Sequence, residues 1–304
     1  MRVLVTGGVG FVGSHVVARQ AEAGDEVHAT VRPGTAGERV AALPDNVTVH
    51  PVDLTDLAGL LSVLDAVQPD VVINAASTSN HPSTPNERLS AWRDDVLTSL
   101  TLLEALRAHP PQRLVHICST LVYRPSTQPL DEKAPLDPET PRGVNKLAVA
   151  AAVKQWSTET GVPHVMIRPF SVYGPRMFPG RVMPTLLHAL RTGTPFAITA
   201  ASSHRDFIHV TDVARCVELV ARSSAADGQV LNVGTGVETS IKDLVAIAER
   251  VTGKVVVQAQ DRHPPAAPQR PHWCADSSMA AKLVGWKAEI GVAEGLTMLW
   301  EDSA

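Results

Sequence analysis

Cysteine is scarce: Cys118, Cys216 and Cys274 are the only three in 304 residues. They are odd in number, far apart and without a CxxC pair, which argues against a disulfide framework. No HExxH stands among the twelve histidines, so a metal site is not indicated either. No apolar run reaches the roughly 18 residues that a membrane span needs. The opening MRVLVTGG is too short for the apolar core of a secretion signal, so the expectation is a soluble, cytoplasmic chain. An excess of charge is also missing. A net charge of −4 gives no electrostatic reason to bind nucleic acid or an anionic membrane, and a small-molecule partner is expected instead. No repeat of 20 to 50 residues is visible, which excludes a solenoid. Tyrosine is the absence with the largest consequence, because only Tyr123 and Tyr173 occur.

What remains is ordinary globular text, 44 % hydrophobic and 19 % charged, long enough for one large α/β domain or two closely joined ones. Short β-branched runs (RVLVTG, EVHATV, NVTVHPVDL, PDVVINAAS, RLVHICS, HVMIRPF) alternate with helical stretches over 13–23, 57–67, 95–108 and 144–160. This is the rhythm of a doubly wound parallel sheet, the Rossmann arrangement. After Pro169 it breaks into Pro- and Gly-rich text, with a helix expected over 185–191, a strand entering a helix in RDFIHVTDVARCVELV, and a helix in IKDLVAIAERV. The expected organisation is a dinucleotide-binding domain of residues 1–168 with 206–234. A smaller α/β substrate-binding cap, discontinuous over 169–205 and 235–304, then lies above the carboxyl ends of the strands.

The strongest motif is TGGVGFVG, Thr6 to Gly13, between the first strand and a helix. Gly7, Gly10 and Gly13 allow a tight turn, backbone N–H groups aimed at a pyrophosphate, and a helix N-terminus whose partial positive charge stabilises it. A carboxylate that takes a free 2′-hydroxyl is missing from the tip of the second strand, where Arg32 stands. A guanidinium suits a 2′-phosphate, so NADP(H) is favoured over NAD(H); a solvated surface arginine is the alternative. Asp53 and Leu54, ending the third strand, are candidates for the adenine contact, or Asp53 is a helix cap.

Together, TGGVGFVG, DLTD, PDVVINAAS, CSTLVY, GVNKLA, IRPFSVYGPR, HRDFIHVTDVA, LNVGTG and LVGW resemble the extended short-chain dehydrogenase/reductase family, the NAD-dependent epimerase/dehydratase group acting mostly on nucleotide sugars. The resemblance implies a cofactor contact set that adds Phe11, Val12, Ala75, Ala76, Lys146 and Pro169 to the residues above. It implies Ser119 as the hydroxyl of the site and Lys146 as the lysine of a Tyr-x-x-x-Lys pair. It further implies substrate contacts from Thr120, Ser171, Arg181, Arg205 and Arg270, with Arg262 an alternative to Arg270; Ser77, Thr78 and His81, after the fourth strand, are candidates to line the sugar pocket, or form a plain polar loop. Helix-mediated homodimers are common among proteins that resemble this one.

The departure is Arg142, which occupies the place of the tyrosine; Asp95 and Ser171 stand where the family often has Asn. Thr140-Pro141 reads as a helix cap and first residue, so Arg142 and Lys146 lie one turn apart on one face and repel unless an anion sits between them. A guanidinium cannot act as an acid near neutral pH, because its pKa is above about 12. Three readings remain open. Ser119 through water or Lys146 moves the proton; the substrate supplies its own while Arg142 stabilises an oxyanion; or the site is silent. A reductase needs only hydride and a proton source, whereas an epimerase needs acid and base. The expected activity is therefore an NADP(H)-dependent ketoreductase of a 4-keto sugar nucleotide. The alternatives are an epimerase or dehydratase, a ketoreductase of another natural-product carbonyl, and a silent NADP(H)-binding protein.

Overall fold

The computed structural model describes residues 1–35, 37–77, 82–197, 203–259 and 273–302. The chain begins with β1 (Arg2–Thr6), α1 (Phe11–Glu22), β2 (Glu26–Val31), α2 (Gly37–Ala41) and β3 (Val47–Pro51). Next come α3 (Leu57–Val67), β4 (Val71–Asn74), α4 (Pro85–Trp92), a π-turn (Arg93–Leu97) and α5 (Thr98–Ala108). Then follow β5 (Arg113–Ile117), α6 (Pro141–Thr160), β6 (His164–Pro169), β7 (Ser171–Tyr173), α7 (Val182–Thr192) and β8 (His204–His209). The last are α8 (Val210–Arg222), β9 (Val230–Val233), β10 (Glu238–Ser240), α9 (Ile241–Thr252), α10 (Ser278–Val284) and α11 (Val292–Asp302).

Seven parallel strands form the main sheet in the order β3-β2-β1-β4-β5-β6-β9, the doubly wound topology expected from the βαβα rhythm. Their side chains face helices on both sides, which is why the strands read as continuous apolar runs rather than alternating ones. One face is packed by α1 and α8, and Trp286 is sealed in that core; the other is packed by α3, α5 and α6 around the sealed Trp156. Truncating either indole to Ala is expected to cost about 3–5 kcal/mol. A second sheet, β10-β8-β7, carries its own apolar cluster of Leu186, Leu190, Phe207, Leu244 and Leu296 from α7, β8, α9 and α11.

The two sheets are tied by Asp206 of β8, a fully buried carboxylate. It accepts hydrogen bonds from Thr235 N at 2.8 Å, Thr235 Oγ1 at 2.7 Å, Gly236 N at 2.9 Å and Ala275 N at 3.1 Å, all just beyond β9 or near the carboxyl end. Residues 206–209, expected with the dinucleotide-binding part, thus pair in the small sheet, while α8 directly after them packs on the main one. Ala280 and Trp286, expected in the cap, pack with the main sheet as well.

Local differences have local causes. The helix expected from residue 95 starts ten residues earlier, at Pro85, because Thr84 and Glu87 form a reciprocal capping box. It then passes through the π-turn before α5. The helix expected to pack from residue 144 begins at Pro141, with Thr140 Oγ1 accepting from Gly143 N at 3.1 Å, as the Thr-Pro pair indicates. Gly143 sits so close to the turn after β5 that a Cβ there lies 2.3 Å from the Leu121 carbonyl oxygen.

Candidate active site

A cavity of about 660 Å³ opens where the carboxyl ends of β1, β4, β5 and β6 meet the small sheet. Its floor is the loop from β1 into α1, with Gly10, Phe11 and Val12 on the wall. Gly7 holds φ +68°, and a Cβ on it lies 2.8 Å from Ala76 Cα. A Cβ on Gly13 lies 2.1 Å from Gly7 O, so the loop closes on the helix only without side chains. Gly10 caps α1 with no side-chain hydrogen bond, and no acid stands in the first turn. The first N–H groups of the helix are thus left to an anion, which fits the pyrophosphate of a dinucleotide.

Residues from successive strand ends meet on the next wall: Ala75 and Ser77 after β4, Ser119 and Thr120 after β5, and Pro169 and Ser171 around β6. Ser119 is also a structural cap, its Oγ accepting from Leu121 N at 3.2 Å, and its hydroxyl hydrogen is left for another acceptor. From α6 come Arg142 and Lys146, one turn apart on the face that meets the cavity. The cap contributes Arg181, at the start of α7, and Arg205 of β8, together with apolar Met177, Phe178 and Phe196.

Four cationic side chains therefore face one cavity, and Asp95 is the carboxylate whose charge acts on both Arg142 and Lys146. Asp95 is 1 % exposed and stands in the π-turn, where an extra residue in the helical turn rotates its side chain toward α6. Its Oδ1 accepts from Ser77 Oγ at 2.8 Å and its Oδ2 from Asn145 Nδ2 at 3.4 Å. Burial pushes the Lys146 ammonium below its ordinary range; the Asp95 charge pulls it back up and Arg142 pushes it further down. Burial also lowers Arg142, against the pull of Asp95 and with the repulsion of Arg181. A guanidinium here can donate hydrogen bonds to an oxyanion but has no proton to give.

The residues expected at an adenosine end are less enclosed. Arg32, Asp53, Leu54, Gly7 and Ala76 lie outside the cavity wall. Arg32 is well exposed and ion-paired with Asp94 at 3.0 Å. Asp53 is not the cap of α3; Asp56 has that task, accepting from Gly59 N at 3.2 Å. Instead Asp53 Oδ1 is held by Thr55 N at 2.9 Å and Thr55 Oγ1 at 2.8 Å, bonds that hold its carboxyl below the usual range, and Oδ2 lies 3.6 Å from Arg93. Arg262, Arg270, Thr78 and His81 lie outside the described residues.

Neither tyrosine reaches the cavity wall. Tyr123 is sealed, its hydroxyl donating to Asn232 Oδ1 at 2.7 Å and accepting from Arg168 at 2.7 Å. Tyr173 is sealed in the small sheet's core, and its hydroxyl donates to Gly291 O at 3.3 Å. Burial raises the pKa of both. Among the described residues no group of three His, Cys, Asp or Glu is placed to hold a metal ion, and no helix is long and apolar enough to cross a membrane.

Sequence reasoning noted Asp95 only as a departure. Its contact with Ser77 spans 18 positions and depends on the π-turn, for which the sequence carries no simple sign. The aromatic cap wall of Phe178 and Phe196 was also missed, since isolated aromatics in Pro-rich text carry no period.

The profile of the NAD dependent epimerase/dehydratase family matches residues 3–234. UDP-glucose 4-epimerase 4 of Oryza sativa subsp. japonica is 28% identical over 333 residues, covering 98% of this chain and 89% of that protein. Among solved structures, the UDP-glucose 4-epimerase of Thermotoga maritima with UDP-glucose superposes with a TM-score of 0.90 at 25% identity, covering 99% of this chain and 98% of that one. MoeE5 in complex with UDP-glucuronic acid and NAD gives a TM-score of 0.88 at 28% identity, covering 100% of this chain and 99% of that one.

Proposed function

The chain belongs to the NAD dependent epimerase/dehydratase family, and from that premise we propose that it reduces a 4-keto sugar carried on a nucleoside diphosphate. The observation that carries this reading is the single cavity in which the glycine loop, Ser119, Arg142 and Lys146 meet Arg181 and Arg205 of the cap. The nicotinamide cofactor, when bound, supplies the hydride. Lys146 holds the cofactor's ribose, and Ser119 hydrogen-bonds the carbonyl oxygen. Arg142 donates to the oxyanion that develops there, a contribution on the order of 10²–10³ in rate. Arg181 and Arg205 take the diphosphate through bidentate, permanently charged donors. For the cofactor the proposal is NADP(H) through Arg32. Its exposed pair with Asp94 is the kind that contributes only about 0–1 kcal/mol, so a 2′-phosphate displaces it at little cost.

A second reading, a nucleotide-sugar 4-epimerase, is favoured by one observation: the buried Asp95 hydrogen-bonded to Ser77 offers the base that the missing tyrosine leaves wanting. Cofactor spectroscopy separates the two. A ketoreductase oxidises NADPH in proportion to a UDP-4-keto-6-deoxyhexose; an epimerase interconverts UDP-glucose and UDP-galactose with no net change in the cofactor. A wild type inactive in both assays, with Arg142→Tyr active in either, refutes Arg142 as a working group. The proposal includes a homodimer: Leu89 and Trp92, and then Leu97 and Leu100, expose apolar surface one turn apart along the helices that flank α6.

A further inference from the structure

Arg142 leaves open which group moves the proton between enzyme and substrate oxygen. Lys146, Ser119 and Arg142 all line the cavity, yet none of them is an acceptor with a negative charge. Asp95 is the carboxylate that faces them. It is sealed from solvent, accepts from Asn145 of α6 on one side and from Ser77 of the loop after β4 on the other, and its charge acts on Arg142 and Lys146. A buried carboxylate hydrogen-bonded from both sides is held in a fixed position. Asp95 does not line the cavity, but Ser77 does, and its Oγ lies 2.8 Å from Asp95 Oδ1. A hydroxyl between a cavity and a buried carboxylate is the geometry of a one-step proton relay.

We propose that Ser77 is a catalytic residue and that Asp95, acting through it, positions and receives the proton that a tyrosine otherwise handles. This rests on the reading that the chain transfers hydride at a carbon of a nucleotide-linked sugar. In the oxidative direction the substrate O–H bond breaks and its proton passes to Ser77 Oγ, while the Ser77 proton moves to Asp95 Oδ1. The adjacent C–H bond breaks and the C=O bond forms, and a bound oxidised nicotinamide would take the C–H electron pair as hydride. Reduction reverses each transfer. Arg142 and Lys146 stabilise the charge on the sugar oxygen while the proton is in flight. The relay returns to its starting protonation after an oxidation followed by a reduction, so it suits epimerisation as well as the reductase step.

The test compares wild type with Ser77→Ala, Ser77→Thr, Asp95→Asn and the double variant Ser77→Ala/Asp95→Asn. Substrates are UDP-glucose, UDP-galactose, UDP-glucuronic acid and a UDP-4-keto-6-deoxyhexose; NAD and NADP binding is measured by calorimetry and folding by thermal melting. Expected is a loss of kcat on the order of 10²–10⁴-fold in Ser77→Ala and in Asp95→Asn, with KM and cofactor affinity changed by less than about threefold. The double variant is no slower than the worse single one, and Ser77→Thr recovers most of the rate. Ser77→Ala with near wild-type kcat beside a slow Asp95→Asn overturns the relay and leaves Asp95 a structural ion, with the nucleotide-sugar reading intact. Losses that follow cofactor affinity or melting temperature overturn it in the same way. A folded, cofactor-binding wild type that moves no hydride with any of these sugars overturns the nucleotide-sugar reading and the relay with it.

Discussion

Replacing Gly143 with Ala places one methyl group where α6 meets the turn after β5. The built Cβ lies 2.3 Å from Leu121 O and 2.8 Å from Pro138 Cβ. An ordinary carbon-oxygen contact is about 3.3–3.6 Å, so the helix and the turn must separate by about 1 Å. The obstacle is backbone, held by the Ser119 cap on one side and by the first turn of a 20-residue helix on the other. Overpacking of this kind costs about 1–3 kcal/mol. The separation also moves Arg142 and Lys146 away from Ser119, and a misplacement of about 1 Å costs roughly 10²-fold in rate. Urea unfolding followed by fluorescence and steady-state kinetics on the same preparation measure both effects. Expected is a kcat reduced about 100-fold in a protein that still folds and still binds dinucleotide at the α1 end, well away from the strain. A Gly143→Ala variant with unchanged stability and unchanged kcat refutes the claim that this contact sets the distance between the two halves of the site.

Three further outcomes follow from other contacts. His116 is sealed in β5 with neither ring nitrogen hydrogen-bonded, and burial, with repulsion from Lys146 and His164, pushes its pKa down to about 3. The unfolded chain takes up this proton near pH 6.5 and the folded one does not, so stability is complete above that value and declines as pH falls toward 3. One such group costs about 2 kcal/mol between pH 6.5 and 5, and urea titrations of His116→Met at pH 7 and 5 should show a pH dependence smaller by that amount; an unchanged dependence refutes it. Arg32→Ala is expected to weaken NADPH about tenfold in calorimetry while leaving NADH unchanged, and Asp94→Asn to strengthen NADPH; equal NADPH affinity in wild type and Arg32→Ala removes Arg32 from the cofactor site. Leu97→Glu/Leu100→Glu is expected to shift the mass measured by light scattering from dimer to monomer with the melting curve of the isolated fold kept; a monomeric wild type contradicts the dimer.

The parts of this structure that were legible from sequence are those whose cause is local. The six amino-terminal strands follow from β-branched runs buried on both faces, and the glycine loop follows from a spacing that only a tight strand-to-helix turn uses. The start of α6 was written in Thr140-Pro141, and with it the shared face of Arg142 and Lys146. Thr84-Pro85-Asn86-Glu87 was equally legible as a capping box, yet the weak apolar period of α4 gave it no support, and the helix was placed too late. Asp95 shows where local signals stop. Its side chain is aimed by a π-turn and satisfied by residues from two other elements, so its partners depend on how the whole helical layer seats on the sheet. The place of Arg32 just past β2 was legible, but its partner Asp94 comes from a distant turn.

The Asp206 clamp bears on how a substrate gets in. Its carboxylate joins β8 to the residues after β9 and to Ala275 through four donors, in a place where no water replaces a lost bond. Swinging the small sheet outward as a lid would strand that charge in the interior, at a cost of several kcal/mol. The gap between the sheets is therefore a preset gauge rather than a jaw: a molecule is sorted by whether it fits the standing width, and adjustment falls to the side chains along the wall.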